Sequence, residues 1–135
     1  MAKVRVTYDE HRKWGYPKNR DNRPYTEIEL VGPSGSVRIW ALIDTGADTI
    51  QLDENFATQV GLYPANNGTQ TSVQTAGGAP VQLYELSNVE IIIEGRTIFE
   101  DCLFSAPNSN DHLLGRNTFL AAMDVGLDLR GWLFK

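Results

Sequence analysis

Asp44 is the residue from which chemistry can be argued. It follows the apolar run Trp40-Ala41-Leu42-Ile43 and opens Thr45-Gly46-Ala47-Asp48, so a hydrophobic strand delivers a carboxylate to a tight turn. A carboxylate at the end of a buried strand is costly unless it is hydrogen-bonded or paired, and proteins keep such groups mostly where they have a task. Two readings are open. Asp44 either caps its own turn, as Asp before Gly readily does, or it serves as an acid or base. Gly46 permits close backbone approach, and Asp48 places a second acid four residues on.

The other reactive side chains suggest no competing centre. Cys102 is the only cysteine, so no internal disulfide can form, and its setting in Asp101-Cys102-Leu103-Phe104 is that of a core thiol. His11 and His112 lack metal-ligand spacing, and no cofactor motif is present. The apolar runs are too short to span a bilayer. The beginning, Met1-Ala2-Lys3-Val4-Arg5-Val6, lacks the apolar core of a signal peptide, so the expectation is a soluble, cytoplasmic or untargeted protein. The 135 residues suit one domain, and 41% hydrophobic with 21% charged residues is a globular composition.

Charge is uneven. The net value is −5, yet residues 1–24 carry +4 and residues 25–135 carry −9. This divides the chain into a basic head, 1–24, with a short strand and an arm, and an acidic body, 25–135. Trp14 and Tyr16 among the basic residues are compatible with stacking on single-stranded nucleic acid. The acidity of the body argues against it, and packing of the arm on the body or on a second subunit is the favoured reading.

The elements that must position Asp44 follow from alternation and turn residues. Val4 to Tyr8 reads as a strand. Tyr25 to Val31 and Val37 to Ile43 form a hairpin about Gly32-Pro33-Ser34-Gly35-Ser36, and its return strand ends at Asp44. A short helix is predicted from Asp53 to Gln59, with acids at its start, then a loop from Tyr63 to Thr71. Ser72 to Thr75 and Val81 to Leu86 flank the glycine-rich tip Ala76-Gly77-Gly78. Asn88 to Ile93 and Arg96 to Phe104 make a further hairpin about Glu94-Gly95. His112-Leu113-Leu114-Gly115-Arg116 precedes a helix predicted over 117–123, and the chain closes on a last strand or tight hairpin over 127–134.

A faint repeat runs through this order. Leu42-Ile43-Asp44-Thr45-Gly46, a helix and Val60-Gly61-Leu62 correspond to Leu113-Leu114-Gly115, a helix and Val125-Gly126-Leu127. Only the first copy carries the acid. The pattern predicts a pseudo-symmetric all-β domain.

From Tyr25 to Leu129 the chain resembles the retropepsin-like (retroviral-type) single-domain aspartic proteases. Four features carry the resemblance in order: Ala41-Leu42-Ile43 leading into Asp44-Thr45-Gly46-Ala47-Asp48; the glycine-rich hairpin at Ala76-Gly77-Gly78, in the place of the family's flap; Leu113-Leu114-Gly115-Arg116-Asn117, in the place of its second hydrophobic-glycine motif; and the short helix after it. The head, the less glycine-rich tip and the tail from Leu129 to Lys135 depart from the compact viral members.

The resemblance implies an all-β acid-protease fold, a closed barrel-like domain with a β-hairpin flap and one or two short helices. It implies an aspartic endopeptidase that needs no metal or cofactor. With one Asp-Thr-Gly per chain, the catalytic pair would be Asp44 and its symmetry mate in a homodimer. Thr45 and Gly46 would hold the catalytic turn. Ala47, Asp48, Ala76, Gly77 and Gly78 would contact an extended peptide or protein substrate. Leu114, Gly115 and Arg116 would support the site, with Arg116 pairing Asp48. The alternative is a catalytically quiet or autoinhibited module on the same fold that dimerises or binds peptide. Nucleic acid and membrane are not expected partners.

Overall fold

Alternation in the sequence becomes the wall of a barrel. The computed structural model describes residues 4–7, 25–74, 80–105, 112–116, 125–127 and 131–134. Strand β2 (Tyr25–Gly32) buries Ile28 and Leu30 and leaves Glu27 and Glu29 on the outer side. It turns at Pro33-Ser34 into β3 (Gly35–Ile43), whose Ile39, Ala41 and Ile43 are buried. Register runs from Gly32 opposite Gly35 to Tyr25 opposite Leu42. Gly35 has φ +138°, a conformation that L side chains rarely adopt.

Beyond the Asp44 turn lie β4 (Ile50–Asp53) and helix α1 (Glu54–Gln59). The Asp53 side chain accepts a hydrogen bond from the Asn55 N–H at 2.7 Å, satisfying one of the helix's orphan donors. Where a plain loop was expected from Tyr63 to Thr71, a single-turn helix α2 (Pro64–Asn67) intervenes, and β5 (Thr69–Gln74) has already begun. Proline at the first helical position fits α2, because its missing N–H costs nothing there.

Strand β6 (Pro80–Ile93) is one fourteen-residue strand where two were expected, and it turns at Glu94-Gly95 into β7 (Arg96–Ser105). Strand β8 (His112–Leu114) carries the second hydrophobic-glycine motif. At the ends of the chain, β1 (Val4–Thr7) pairs antiparallel with β10 (Gly131–Phe134), which pairs with β9 (Val125–Leu127).

The remaining strands are ordered β2-β3-β8-β4-β7-β6, and β2 also pairs with β6, so six strands close on themselves while β5 hangs from β6. Closure removes the exposed edges that open sheets must otherwise protect. Two contacts in the ring are parallel, β3 with β8 and β4 with β7. Every one of these six strands sends side chains into one core, among them Leu30, Ile43, Leu52, Ile91, Phe104 and Leu114. Each such side chain contributes about 1.5–3 kcal/mol by burial. Among the described residues no helix is long and apolar enough to cross a membrane.

Candidate active site

Asp44 stands at the mouth of this core, one residue beyond the end of β3. Ile43, buried, pairs with Leu114 of β8. The backbone N–H of Asp44 then donates to the Leu114 carbonyl at 3.0 Å, so the parallel pairing runs straight into the turn. Within the turn the Gly46 N–H donates to Asp44 Oδ1 at 2.8 Å, and the Ala47 N–H donates to the Asp44 carbonyl at 3.2 Å. A Cβ at Gly46 would lie 3.2 Å from Asp44 Oδ1, inside comfortable packing distance. The turn-capping role read from the sequence is therefore real. It occupies one carboxylate oxygen, and the side chain is only half-buried at the surface of the turn.

The second motif clasps the far side of the same turn. The Arg116 N–H donates to the Ala47 carbonyl at 2.9 Å, and Arg116 Nη2 donates to Asp48 Oδ1 at 2.8 Å. Both side chains of that ion pair are well exposed, so its net energetic value is small. Between the two contacts, Gly115 lies against the Asp48–Thr49 backbone. A Cβ there would meet the Thr49 carbonyl oxygen at 2.4 Å and the Thr49 nitrogen at 2.5 Å. Only a residue without a side chain lets β8 come this close.

The structure thus brings together Asp44, Thr45, Gly46, Ala47, Asp48, Leu114, Gly115 and Arg116. Thr45, Gly46 and Asp48 are exposed, and Leu114 and Gly115 are buried. Ala76, Gly77 and Gly78 lie outside the described residues, as does the helix expected over 117–123. The hairpin that leads toward the tip, β5 with β6, is present, with Thr69 opposite Glu85 and Gln74 opposite Pro80. Residue types could not disclose that the carbonyls of Ala47 and Leu114 and the backbone of Thr49 hold the turn, because these are main-chain groups with no side-chain signature.

The remaining reactive groups sit elsewhere. His112 is half-buried, with its ring edge-on to Phe56 at a centroid distance of 5.1 Å. Cys102 is fully buried on β7, and burial, with the Glu100 and Asp101 charges beside it, pushes its thiol far above its ordinary range. That makes it a packing residue and not a nucleophile. Among the described residues no group of three or more His, Cys, Asp or Glu side chains is arranged to hold a metal ion.

A closed β-barrel whose strand end offers an Asp-Thr-Gly turn, gripped from below by a hydrophobic-glycine-arginine motif, defines an all-β acid-protease-like domain. The sequence comparison agrees: the family described as "gag-polyprotein putative aspartyl protease" matches residues 34–121, well over half of the chain, and the protein belongs to that retroviral-type aspartyl protease family. Comparison with curated proteins finds no match.

Proposed function

We propose that the protein is an aspartic endopeptidase that assembles its active site from two copies of the chain. The observation that carries this reading is the asymmetry of the two motifs. The turn at Asp44 has a carboxylate, whereas the motif that grips it, Leu114-Gly115-Arg116, has none. The sequence holds one Asp-Thr-Gly, and the neighbouring Asp48 carboxylate is taken up by Arg116, so in this reading the second carboxylate is Asp44 of a partner, brought beside the first by a twofold axis through the exposed Thr45-Gly46 turn.

Two such carboxylates cannot both ionise easily at close range, so the pair shares a proton over a wide pH range. The ionised member takes a proton from a water, the water attacks the scissile carbonyl, and the protonated member donates to the carbonyl oxygen. The proton then passes to the leaving amine as the tetrahedral intermediate collapses. The substrate lies extended as an added strand, with pockets reading alternate side chains, and the hairpin that ends at Ala76-Gly77-Gly78 covers it. Thr45 and Gly46 keep the turn in shape, and Ala47 and Asp48 meet the substrate backbone. Residues 25–135 form the protease body and residues 1–24 a basic head.

The deciding experiment is incubation with a peptide library at several pH values and protein concentrations, with and without an aspartic-protease inhibitor. Inhibitor-sensitive cleavage whose specific activity falls on dilution, and which Asp44→Asn abolishes, supports the proposal. A self-associating protein that binds peptides without cleaving them would instead be a catalytically quiet module on the same fold.

A further inference from the structure

Strand β6 changes partner halfway along. Its flank toward β7 is paired over residues 83–86 and 89–93, but its other flank meets β5 over residues 80–85 and β2 over residues 90–93. Between them lies an irregularity. Leu86 is opposite Cys102 and Val89 is opposite Glu100, so Ser87 and Asn88 together face the single residue Asp101. This is a β-bulge, which bends its strand and increases the local twist.

The bulge also changes which residues point inward. Cys102 and Glu100 are two apart and share a face of β7, yet their partners Leu86 and Val89 are three apart on β6. Val89, Ile91 and Ile93 thereby enter the barrel core, while the part of β6 that pairs with β5 keeps its own alternation. Asn88 takes φ +56°, a left-handed conformation that Asn tolerates better than most residues. Its backbone N–H, which the bulge removes from the ladder, donates to Asp101 Oδ1 at 3.0 Å. The residue opposite the bulge therefore supplies the acceptor that the strand lacks. On the other side, Gly68 at the end of α2 abuts β6 so closely that a Cβ would lie 2.7 Å from the Glu85 carbonyl oxygen.

We propose that Asp101 is a positioning residue: by clasping the Asn88 N–H it locks the bulge that aims the β5–β6 hairpin relative to the barrel, and so sets how firmly an extended substrate is held. The consequence for substrate rests on the endopeptidase reading above. The consequence for the hairpin does not. The clasp fixes the direction of the hairpin's root at a point where α2 and β7 already restrict it from two sides.

The test uses the full chain with Asp101→Ala, which removes the acceptor, and Asp101→Asn, which keeps an acceptor oxygen. Amide exchange by NMR without ligand is read at Asn88 and along β5 and β6, and KM and kcat are read on a cleaved peptide. Asp101→Ala should speed exchange at Asn88 and along β5–β6 about fivefold, the scale of one modest hydrogen bond. It should raise KM by a similar factor with kcat unchanged, and Asp101→Asn should restore both. Faster exchange confined to Asn88, with β5–β6 exchange and KM as in the wild type, would reduce the clasp to a local feature and overturn the proposal. Unchanged exchange at Asn88 would overturn it too. If the wild-type protein cleaves nothing, the endopeptidase reading fails while the exchange data still decide the clasp.

Discussion

Arg116 and Asp48 lie sixty-eight positions apart in the chain and meet at 2.8 Å on the surface, beside the turn that presents Asp44. The same two segments are also joined through the main chain, because the Arg116 N–H donates to the carbonyl of Ala47, the residue before Asp48. The ion pair is solvent-exposed and should contribute only about 0.5 kcal/mol to stability. A double-mutant cycle of Arg116→Ala and Asp48→Ala, read by urea unfolding, should return a coupling of that size that shrinks in high salt. A coupling several times larger would mean that the pair is desolvated in the working protein.

Gly115 tells a different story at the same place. Its neighbours are backbone atoms of Asp48 and Thr49, which cannot swing aside as a flexible side chain can. Gly115→Ala should therefore cost about 2 kcal/mol or more, as overpacking of a filled site does. It should also displace the Asp44 turn, so activity should fall further than stability. The midpoint of urea unfolding and the cleavage rate, measured on the same preparation, check both halves. Wild-type stability in this variant would show that Gly115 does not pack against the Thr49 backbone.

These contacts show where the sequence was readable. The β2–β3 and β6–β7 hairpins were legible because alternating residues meet Gly32-Pro33-Ser34-Gly35 and Glu94-Gly95, turns that few other residue combinations would make. The turn at Asp44 was legible for the same local reason. The parallel contacts, Ile43 with Leu114 and Ile50 with Cys102, were not, since they join segments with dozens of residues between them and leave no periodic mark. The bulge at Ser87-Asn88 was hidden because one extra residue in a long strand reads as the end of one strand and the start of another. Helix α2 was hidden because a single turn among Asn and Gly has no periodicity to show.

Glu100 gives a pH dependence. It pairs across the strands with Val89, on the barrel side of β7, and burial raises its pKa above the ordinary 4.5, helped by the Asp101 charge beside it. A raised carboxylate pKa means that the folded protein binds the proton more tightly than the unfolded chain. That contribution to stability is complete below about pH 4.5 and is lost as pH rises through the folded-state value. Glu100→Gln, a neutral mimic of the protonated acid, should therefore raise Tm at pH 7 relative to wild type, with the gain fading toward pH 4. A loss of stability at pH 7 would show that the ionised carboxylate has a partner that offsets its burial.

Cys102 should behave as an inert thiol. It is fully buried, its Sγ is directed to the Glu100 carbonyl at 3.6 Å, and its environment disfavours the thiolate, which is the reactive species. Labelling by a disulfide reagent at pH 8 should be slow in the native protein and should accelerate in parallel with unfolding as urea is added. Rapid labelling without urea would show that the thiol is reached in the folded protein, against the burial of Cys102.

Asp44 combines a structural bond with the proposed chemistry, and two substitutions separate them. Asp44→Asn keeps an oxygen to accept the Gly46 N–H, so it should leave stability within about 0.5 kcal/mol of wild type, whereas Asp44→Ala removes the acceptor and should cost about 1 kcal/mol. Both should abolish cleavage if the carboxylate is the base. Mixing then tests whether the site is shared. When wild-type chains are equilibrated with an excess of Asp44→Asn chains, most wild-type subunits find a mutant partner and sit in a dimer with one carboxylate. Wild-type activity should fall steeply as the variant is added, approaching the square of the wild-type fraction at fixed total protein. Activity that stays proportional to the wild-type fraction would mean that each chain works alone, and the second carboxylate would have to be sought within the chain itself.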